Sequence, residues 1–213
     1  MLHSRISSSL QSAALPLMER EDITEDMLIA ENKRLNAEVI RLKSLLQEAQ
    51  HAADTDPLLQ VYNRRAFIRE LERAQTVSTR YDISSSLIFF DLNGFKAIND
   101  KYGHAAGDKV LETVGTILQS GVRQCDMVAR LGGDEFGVLL FKSTPEIAKA
   151  KAAALACRIA QEIIKTPKGV IRISAAWGTA LCDPQKNSET VLAEADQEMY
   201  VSKRQYEPSH RVA

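Results

Sequence analysis

Cysteine is scarce in this chain. Cys125, Cys157 and Cys182 are the three in 213 residues, an odd number with no CxxC pair. That excludes a disulfide framework and a structural zinc site, and it suits a reducing compartment. Long apolar runs are also missing. No stretch approaches the roughly 20 residues that cross a bilayer. The start, MLHSRISSSLQSAALPLMER, contains no apolar segment of signal-peptide length. The expectation is a soluble, cytoplasmic protein with no membrane span. Excess charge of one sign is absent, since 27 Lys+Arg face 28 Asp+Glu for a net charge of -1. No global field would recruit nucleic acid or an anionic membrane. Neither GxxxxGK[ST] nor GxGxxG occurs, so the usual glycine cradles for phosphate are lacking. No repeat of 20–50 residues is visible.

What is present is 45% hydrophobic and 26% charged residues, enough for one globular domain with an appendage. Residues 1–22 are Ser-rich and broken by Pro16, and read as a flexible segment or one that waits for a signalling partner. Residues 23–53 differ: from Thr24 onward they hold no Gly or Pro and are rich in Glu, Lys, Leu, Ala and Gln. Leu28, Leu35, Leu42 and Ala49 recur every seven residues, and Asn32, Val39, Leu46 and Ala53 repeat the spacing four later. This is a heptad seam with Leu at d. Val at a with Leu at d favours a parallel pair, and one Asn at a fixes the register. Glu38 at g and Lys43 at the next e suit a bridge between two helices. The stalk is therefore expected to make a homodimer; the competing reading is one amphipathic helix lying on the domain.

Asp54-Thr55-Asp56-Pro57 marks the junction, where Pro57 cannot continue a helix and an acidic residue can cap the next one. Residues 54–206 are expected to form the main domain, with 207–213 as a tail. The pattern predicts helices over 58–79, 95–102, 107–121, 145–165 and 188–205. Strands are expected over 86–91, 127–131, 136–141 and 170–181. In the last strand Ile171, Ile173, Ala175 and Trp177 alternate with more polar residues, as in an antiparallel sheet covered by helices on one side.

Two acidic spots could carry chemistry. Asp91 ends the apolar run Leu87-Ile88-Phe89-Phe90, and Asp134-Glu135 follow Gly132-Gly133 between two strand-like segments. Carboxylates at a strand end and on a hairpin tip meet when the strands are neighbours. Such hard oxygen donors bind Mg²⁺ through one or two carboxylates and leave the other positions to water and substrate phosphate. Two ions about 3.5–4 Å apart can hold attacking and leaving oxygens in line. Ordinary turn and cap chemistry is the competing reading.

The surroundings of these acids are distinctive. Residues 132–136 spell GGDEF, a pentapeptide that arises by chance about once in 10⁴ chains of this length at usual residue frequencies. Upstream, Asp91-Leu92-Asn93-Gly94-Phe95-Lys96-Ala97-Ile98-Asn99-Asp100-Lys101-Tyr102-Gly103-His104-Ala105-Ala106-Gly107-Asp108 is similar to the block D-x-D-x-F-K-x-I-N-D-x-x-G-H-x-x-G-D. At the junction, Asp56-Pro57-Leu58-Leu59-Gln60-Val61-Tyr62-Asn63-Arg64-Arg65 is similar to D-x-L-T-G-L-x-N-R-R. Over residues 54–206 the chain resembles the GGDEF-domain diguanylate cyclases.

The resemblance implies an α+β fold: a ferredoxin-like, nucleotidyl-cyclase palm with a central, mostly antiparallel sheet, preceded by the helical coiled-coil stalk. It implies condensation of two GTP into cyclic di-GMP and two pyrophosphates, in a dimer with one GTP per domain. It implies two Mg²⁺ per active site, with Mn²⁺ as a substitute. Asp91 and Asp134 match the metal carboxylates, with the backbone carbonyl of Leu92. Glu135 matches the acid that helps the 3′-hydroxyl lose its proton. Lys96 and Lys203 match phosphate contacts, and Asn99 and Asp108 match the readers of the guanine edge. Gly132 and Gly133 would let the backbone approach the nucleotide where a Cβ would intrude. Arg123 and Asp126 form an RxxD nine residues before Gly132, the family spacing for product inhibition by cyclic di-GMP, and Arg158 matches a second arginine there.

Departures also stand out. Asn93 replaces the second Asp of the block, Leu59 and Gln60 replace Thr and Gly in the opening motif, and Glu207 stands where the family carries an Arg. Arg204 or Arg211 is placed to substitute for that Arg. Among the histidines, His104 belongs to the block and reads as structural. An alternative function is a catalytically weak domain that senses cyclic di-GMP or GTP, or serves as a scaffold.

Overall fold

The computed structural model describes residues 25–206. The segment 1–22, the first residues of the stalk, the tail 207–213 and with it Glu207 and Arg211 lie outside the described residues. The chain divides into two compact units, one ending at Gln50 and the other beginning at His51.

The first unit is carried by α1 (Glu25–Asp54), as its good helix formers and lack of Gly and Pro require. Arg34 pairs with Glu31 and Arg41 with Glu38, each at 2.7 Å three residues apart. Such exposed pairs add only a few tenths of a kcal/mol each. Glu38, expected to bridge to a partner helix, is held within its own helix. The heptad leucines Leu28, Leu35 and Leu42 are 57%, 50% and 51% exposed, so the seam is uncovered within one chain.

The second unit is built on β1 (Tyr62–Asn63), β2 (Ser86–Leu92), β3 (Met127–Arg130), β4 (Glu135–Leu140) and β7 (Ala175–Leu181), with α2 (Arg64–Tyr81), α3 (Phe95–Tyr102), α4 (His104–Ser120), α5 (Pro145–Gln161) and α6 (Ser188–Tyr206). A hairpin of β5 (Ile164–Thr166) and β6 (Gly169–Ile171) stands apart from that sheet. The sheet order is β1-β3-β4-β2-β7. All pairings are antiparallel except β1 with β3. The α+β class and the mostly antiparallel sheet agree with the sequence reading.

The sheet is covered on both faces, not one. Ile88, Phe90 and Leu92 point into a cluster with Val110, Leu111 and Leu155 from α4 and α5. Leu87 and Phe89 point into another with Phe67, Leu71, Val191 and Leu192 from α2 and α6. That is why β2 reads as a nearly unbroken apolar run: a strand buried on both faces does not alternate.

Three boundaries also shift. No helix begins at Leu58. Asp56 Oδ1 accepts from the backbone N–H groups of Leu58 and Leu59 at 3.0 and 2.9 Å, closing a turn, and the chain then runs into β1. Helix α2 starts at Arg64, capped by Asn63, whose Oδ1 accepts from Ala66 N at 3.0 Å. Helix α5 ends at Gln161, short of the expected 165, because Ile164 and Ile171 are drawn into the first cluster. The long strand expected over 170–181 is split into β6 and β7.

Candidate active site

The antiparallel register of β2 on β4 sets Asp91 directly opposite Glu135. Opposite residues of a ladder project from the same face, so the two carboxylates share one end of the sheet. Asp134 precedes Glu135 in the turn, and its carbonyl accepts from Leu92 N at 3.2 Å. Lys203, from α6, brings its ammonium to within 2.5 Å of Asp91 Oδ1. Glycine lets α6 lie this close: a Cβ on Gly178 of β7 would sit 2.1 Å from Ala195 O.

The electrostatics are those of crowded acid. Glu135 is held above the ordinary carboxylate range, first by burial and then by repulsion from Asp91, Asp134 and Asp196; Arg64 opposes this. A hard divalent cation relieves such crowding. Among the described residues no group of three His, Cys, Asp or Glu side chains is arranged as a metal cage. The donors fit a cation held by one or two carboxylates and completed by substrate phosphate, and not a closed structural site.

The turn that carries the acids is clamped. Arg130 donates from Nε to the Gly132 carbonyl at 3.1 Å and from Nη2 to the Gly133 carbonyl at 2.8 Å. Its Nη1 reaches Asp56 Oδ1 at 3.4 Å, so one side chain joins the signature turn to the opening motif. Sequence reading missed Arg130; the available signal was a cation two residues before a pair of glycines. The two glycines differ in what they permit. A Cβ on Gly132 would meet Glu135 Oε2 at 2.4 Å, whereas one on Gly133 would meet nothing within 4 Å. Gly132 thus makes room for the carboxylate of Glu135, and the open side is at Gly133.

The α3–α4 pair holds the remaining candidates. Gly94, at φ +71°, begins α3. Asn99 packs against α4 so closely that a Cβ on Gly107 would lie 1.9 Å from its Oδ1. That oxygen is buried with no hydrogen-bond partner among the described residues, an uncompensated cost of about 1–3 kcal/mol. An N–H donor from a ligand would remove it. Lys96 and Asp108 are exposed and make no hydrogen bond or ion pair among the described residues. Asn93 ties the end of β2 to the stretch before β7: its N–H donates to Ser174 O at 2.8 Å, and its Nδ2 to Ser174 Oγ at 2.9 Å. Leu59, in place of Thr, is 5% exposed in the core, and the Gln60 carbonyl accepts from Gln119 Nε2.

The RxxD residues form a second locus. Asp126 accepts from Arg123 N at 3.0 Å and from Phe141 N at 3.1 Å, so its carboxylate shapes the turn. The Arg123 side chain is exposed. From α5, Arg158 reaches the preceding helix end, donating to Ser120 Oγ at 3.0 Å. Both arginines therefore flank one turn.

Known proteins resemble this chain in sequence and in fold. The profile of the diguanylate cyclase GGDEF domain matches residues 53–208. Diguanylate cyclase TpbB of Pseudomonas aeruginosa is 37% identical over 172 residues, which cover 76% of this chain and 38% of TpbB. The probable diguanylate cyclase DgcE of Escherichia coli is 34% identical over 168 residues, 78% of this chain and 15% of DgcE. The chain thus spans well under half of these curated relatives. The coiled coil and GGDEF domain of DgcB from Caulobacter crescentus, solved in complex with c-di-GMP, matches with TM-score 0.75 and 27% identity, covering 84% of this chain and 95% of that one.

Proposed function

The chain belongs to the family of GGDEF-domain diguanylate cyclases, and from that premise we propose that it condenses two GTP into cyclic di-GMP with release of two pyrophosphates. The observation that carries this reading is the register that sets Asp91 opposite Glu135, with Asp134 beside it and Lys203 against Asp91. Acid and ammonium at one sheet end suit the phosphates and cation of a nucleoside triphosphate.

Asp91, Asp134 and the Leu92 carbonyl are the groups that would hold Mg²⁺, two ions per site, with Mn²⁺ as a substitute. Divalent cations there supply charge neutralisation for the triphosphate and the departing pyrophosphate. The chain's own residues do the rest. Lys96 and Lys203 bind phosphate oxygens. Asp108 accepts from guanine N1 and N2, and the orphaned Asn99 Oδ1 gains an N–H donor from the base. Glu135, whose raised proton affinity makes it a better base than an ordinary carboxylate, takes the proton of the 3′-hydroxyl. That oxygen bonds to the α-phosphorus of the second GTP as the bond to pyrophosphate breaks. Each domain holds one GTP, so two must face each other, and the rate gain is positioning plus charge neutralisation.

The stalk pairs the two copies, and residues 1–22 are the place for a signalling partner. Arg123 and Arg158 hold cyclic di-GMP at an inhibitory site whose turn Asp126 shapes. No helix among the described residues is long and apolar enough to cross a membrane. A cytoplasmic setting fits the GTP supply and the three unpaired cysteines.

Incubation of the purified chain with GTP and Mg²⁺, followed by nucleotide chromatography, tests this. Cyclic di-GMP should form, and Asp134→Ala should lower the rate by about 10³-fold or more, since several kcal/mol of transition-state stabilisation is lost. Circular dichroism should show the variant folded. Turnover near that of the parent would remove Asp134 from the chemistry.

A further inference from the structure

The guanidinium of Arg130 decides which way the peptide groups of the signature turn face. Its Nε donates to the Gly132 carbonyl at 3.1 Å and to the Gly133 carbonyl at 3.2 Å, and its Nη2 donates to the Gly133 carbonyl at 2.8 Å. Both carbonyls therefore point at Arg130. A peptide group is planar and trans, so the N–H that follows each carbonyl points the opposite way. The N–H groups of Gly133 and Asp134 are thus turned away from the guanidinium. Among the described residues neither has an acceptor. Gly133 is exposed, and a Cβ on it would meet nothing within 4 Å, so a ligand can reach this stretch. Successive backbone N–H groups in a turn make a concavity that suits an anion.

The guanidinium is itself held from several sides. Arg130 lies in β3 with Asn63 of β1 opposite it on one side and Phe136 of β4 on the other. Its Nη1 meets Asp56 at 3.4 Å, and the two side chains are only 18% and 13% exposed. Asp56 is fixed in turn: it accepts from the N–H groups of Leu58 and Leu59, and its own N–H donates to the Val61 carbonyl at 2.9 Å. Leu59 and Val61 are anchored in the core. A buried ion pair often adds no net stability over apolar packing of the same volume. What this pair adds is direction, because a planar fork fixes the carbonyls it binds. The competing reading is a staple that only closes the turn.

We propose that Arg130 is a positioning residue for the cyclase reaction, aiming the N–H groups of Gly133 and Asp134 at an oxygen of the reacting α-phosphate. This rests on the cyclase reading. The two donors sit next to Asp134 and Glu135, at the reacting end of the site, and Asn99 and Asp108 lie at the base end. Phosphate oxygens brought among these acids gain two neutral donors that need no reorganisation as negative charge builds up on them.

Two measurements on the full chain test it. In steady-state kinetics with GTP and Mg²⁺, Arg130→Gln should lower kcat at least about tenfold, a lower bound on what loss of a preorganised donor costs. KM should stay within about threefold, since the donors act on charge that develops late. Arg130→Lys keeps the charge but not the fork and should show the same split, which keeps the test open if the Gln variant fails to fold by circular dichroism. The second measurement needs no turnover. In the chain isotope-labelled at glycine and aspartate nitrogen, a GTP analogue with a methylene between the α and β phosphorus should move the Gly133 and Asp134 amide protons downfield of their positions with Mg²⁺ alone. In Arg130→Lys those two shifts should be lost, while the Gly107 amide, at the base end, still responds. The proposal is overturned if kcat is kept, if KM rises with kcat unchanged, or if the Gly133 and Asp134 amides of the parent ignore the analogue. A parent that binds the analogue through these amides yet makes no cyclic di-GMP would sink the cyclase reading and leave the two donors as a phosphate-binding turn.

Discussion

At the scale of single residues, much rests on atoms that a glycine leaves out. Gly107 gives Asn99 its place, since a Cβ there would overlap the Asn99 amide at 1.9 Å. Gly107→Ala should push Asn99 off its position while sparing the carboxylates. The expected result is a KM for GTP raised about tenfold, the equivalent of one hydrogen bond of about 1.4 kcal/mol, with kcat nearly kept. An unchanged KM would show that Asn99 does not touch the base. The RxxD locus gives a second prediction. Arg123 offers an exposed guanidinium, suited to phosphate and to guanine's Hoogsteen edge. Arg123→Ala should leave the initial rate within about twofold, as for an exposed side chain far from the chemistry, yet let product accumulate further. Equal inhibition of parent and variant by added cyclic di-GMP would place the inhibitory site elsewhere.

At the scale of elements, α5, β7 and α6 are joined through one acid. Glu198 on α6 accepts from Thr179 Oγ1 at 2.7 Å, and Lys149 of α5 lies 2.9 Å away. Burial would raise its proton affinity, but the hydrogen bonds from Lys149 and Thr179 outweigh burial and hold the carboxyl below the ordinary range. A group depressed in the folded state contributes stability above its unfolded value, about 4.3 for Glu. That contribution is lost as pH falls through the lower folded value. Glu198→Gln should therefore lower Tm by a few degrees at pH 7, for about 1 kcal/mol after allowance for partial exposure. The difference between parent and variant should shrink on acidification below about pH 4. A gap independent of pH would mean that shape, not charge, is what Glu198 contributes.

At the scale of the whole molecule, the proposed activity needs a second copy, because in that reading one domain carries one GTP. The seam Leu28, Leu35, Val39, Leu42 and Leu46 is about half exposed in the single chain, apolar surface that a partner helix would cover. Pairing raises the effective concentration of the second half-site. Leu35→Asp with Leu42→Asp would set like charges into d positions, at several kcal/mol for desolvated charge. The variant should be monomeric at micromolar concentration, with specific activity rising steeply with protein concentration. Sedimentation velocity beside a GTP assay reads both. A monomer fully active at nanomolar concentration would show that the stalk does not pair the half-sites.

What the amino-acid sequence determined by itself was local. The seven-residue period, α3 over 95–102, the Gly-Gly turn and the strands beside it are legible because propensity, periodicity and turn chemistry act over a few residues. The family block and the GGDEF pentapeptide named Asp91, Asn99, Asp108, Asp134 and Glu135 as residue types in order. The tertiary structure alone decided what meets across long separations. Only the β2–β4 register sets Asp91 opposite Glu135, since a slip of one residue would turn every side chain to the other face. Only the placement of the opening turn brings Arg130 to Asp56. Only the burial of Ile164 and Ile171 in the cluster on one face of β2 stops α5 at Gln161 and frees 164–171 for a hairpin that sets Lys168 beside α4. These contacts depend on how apolar faces fill one core, and that is a property of the whole chain, not of any window along it.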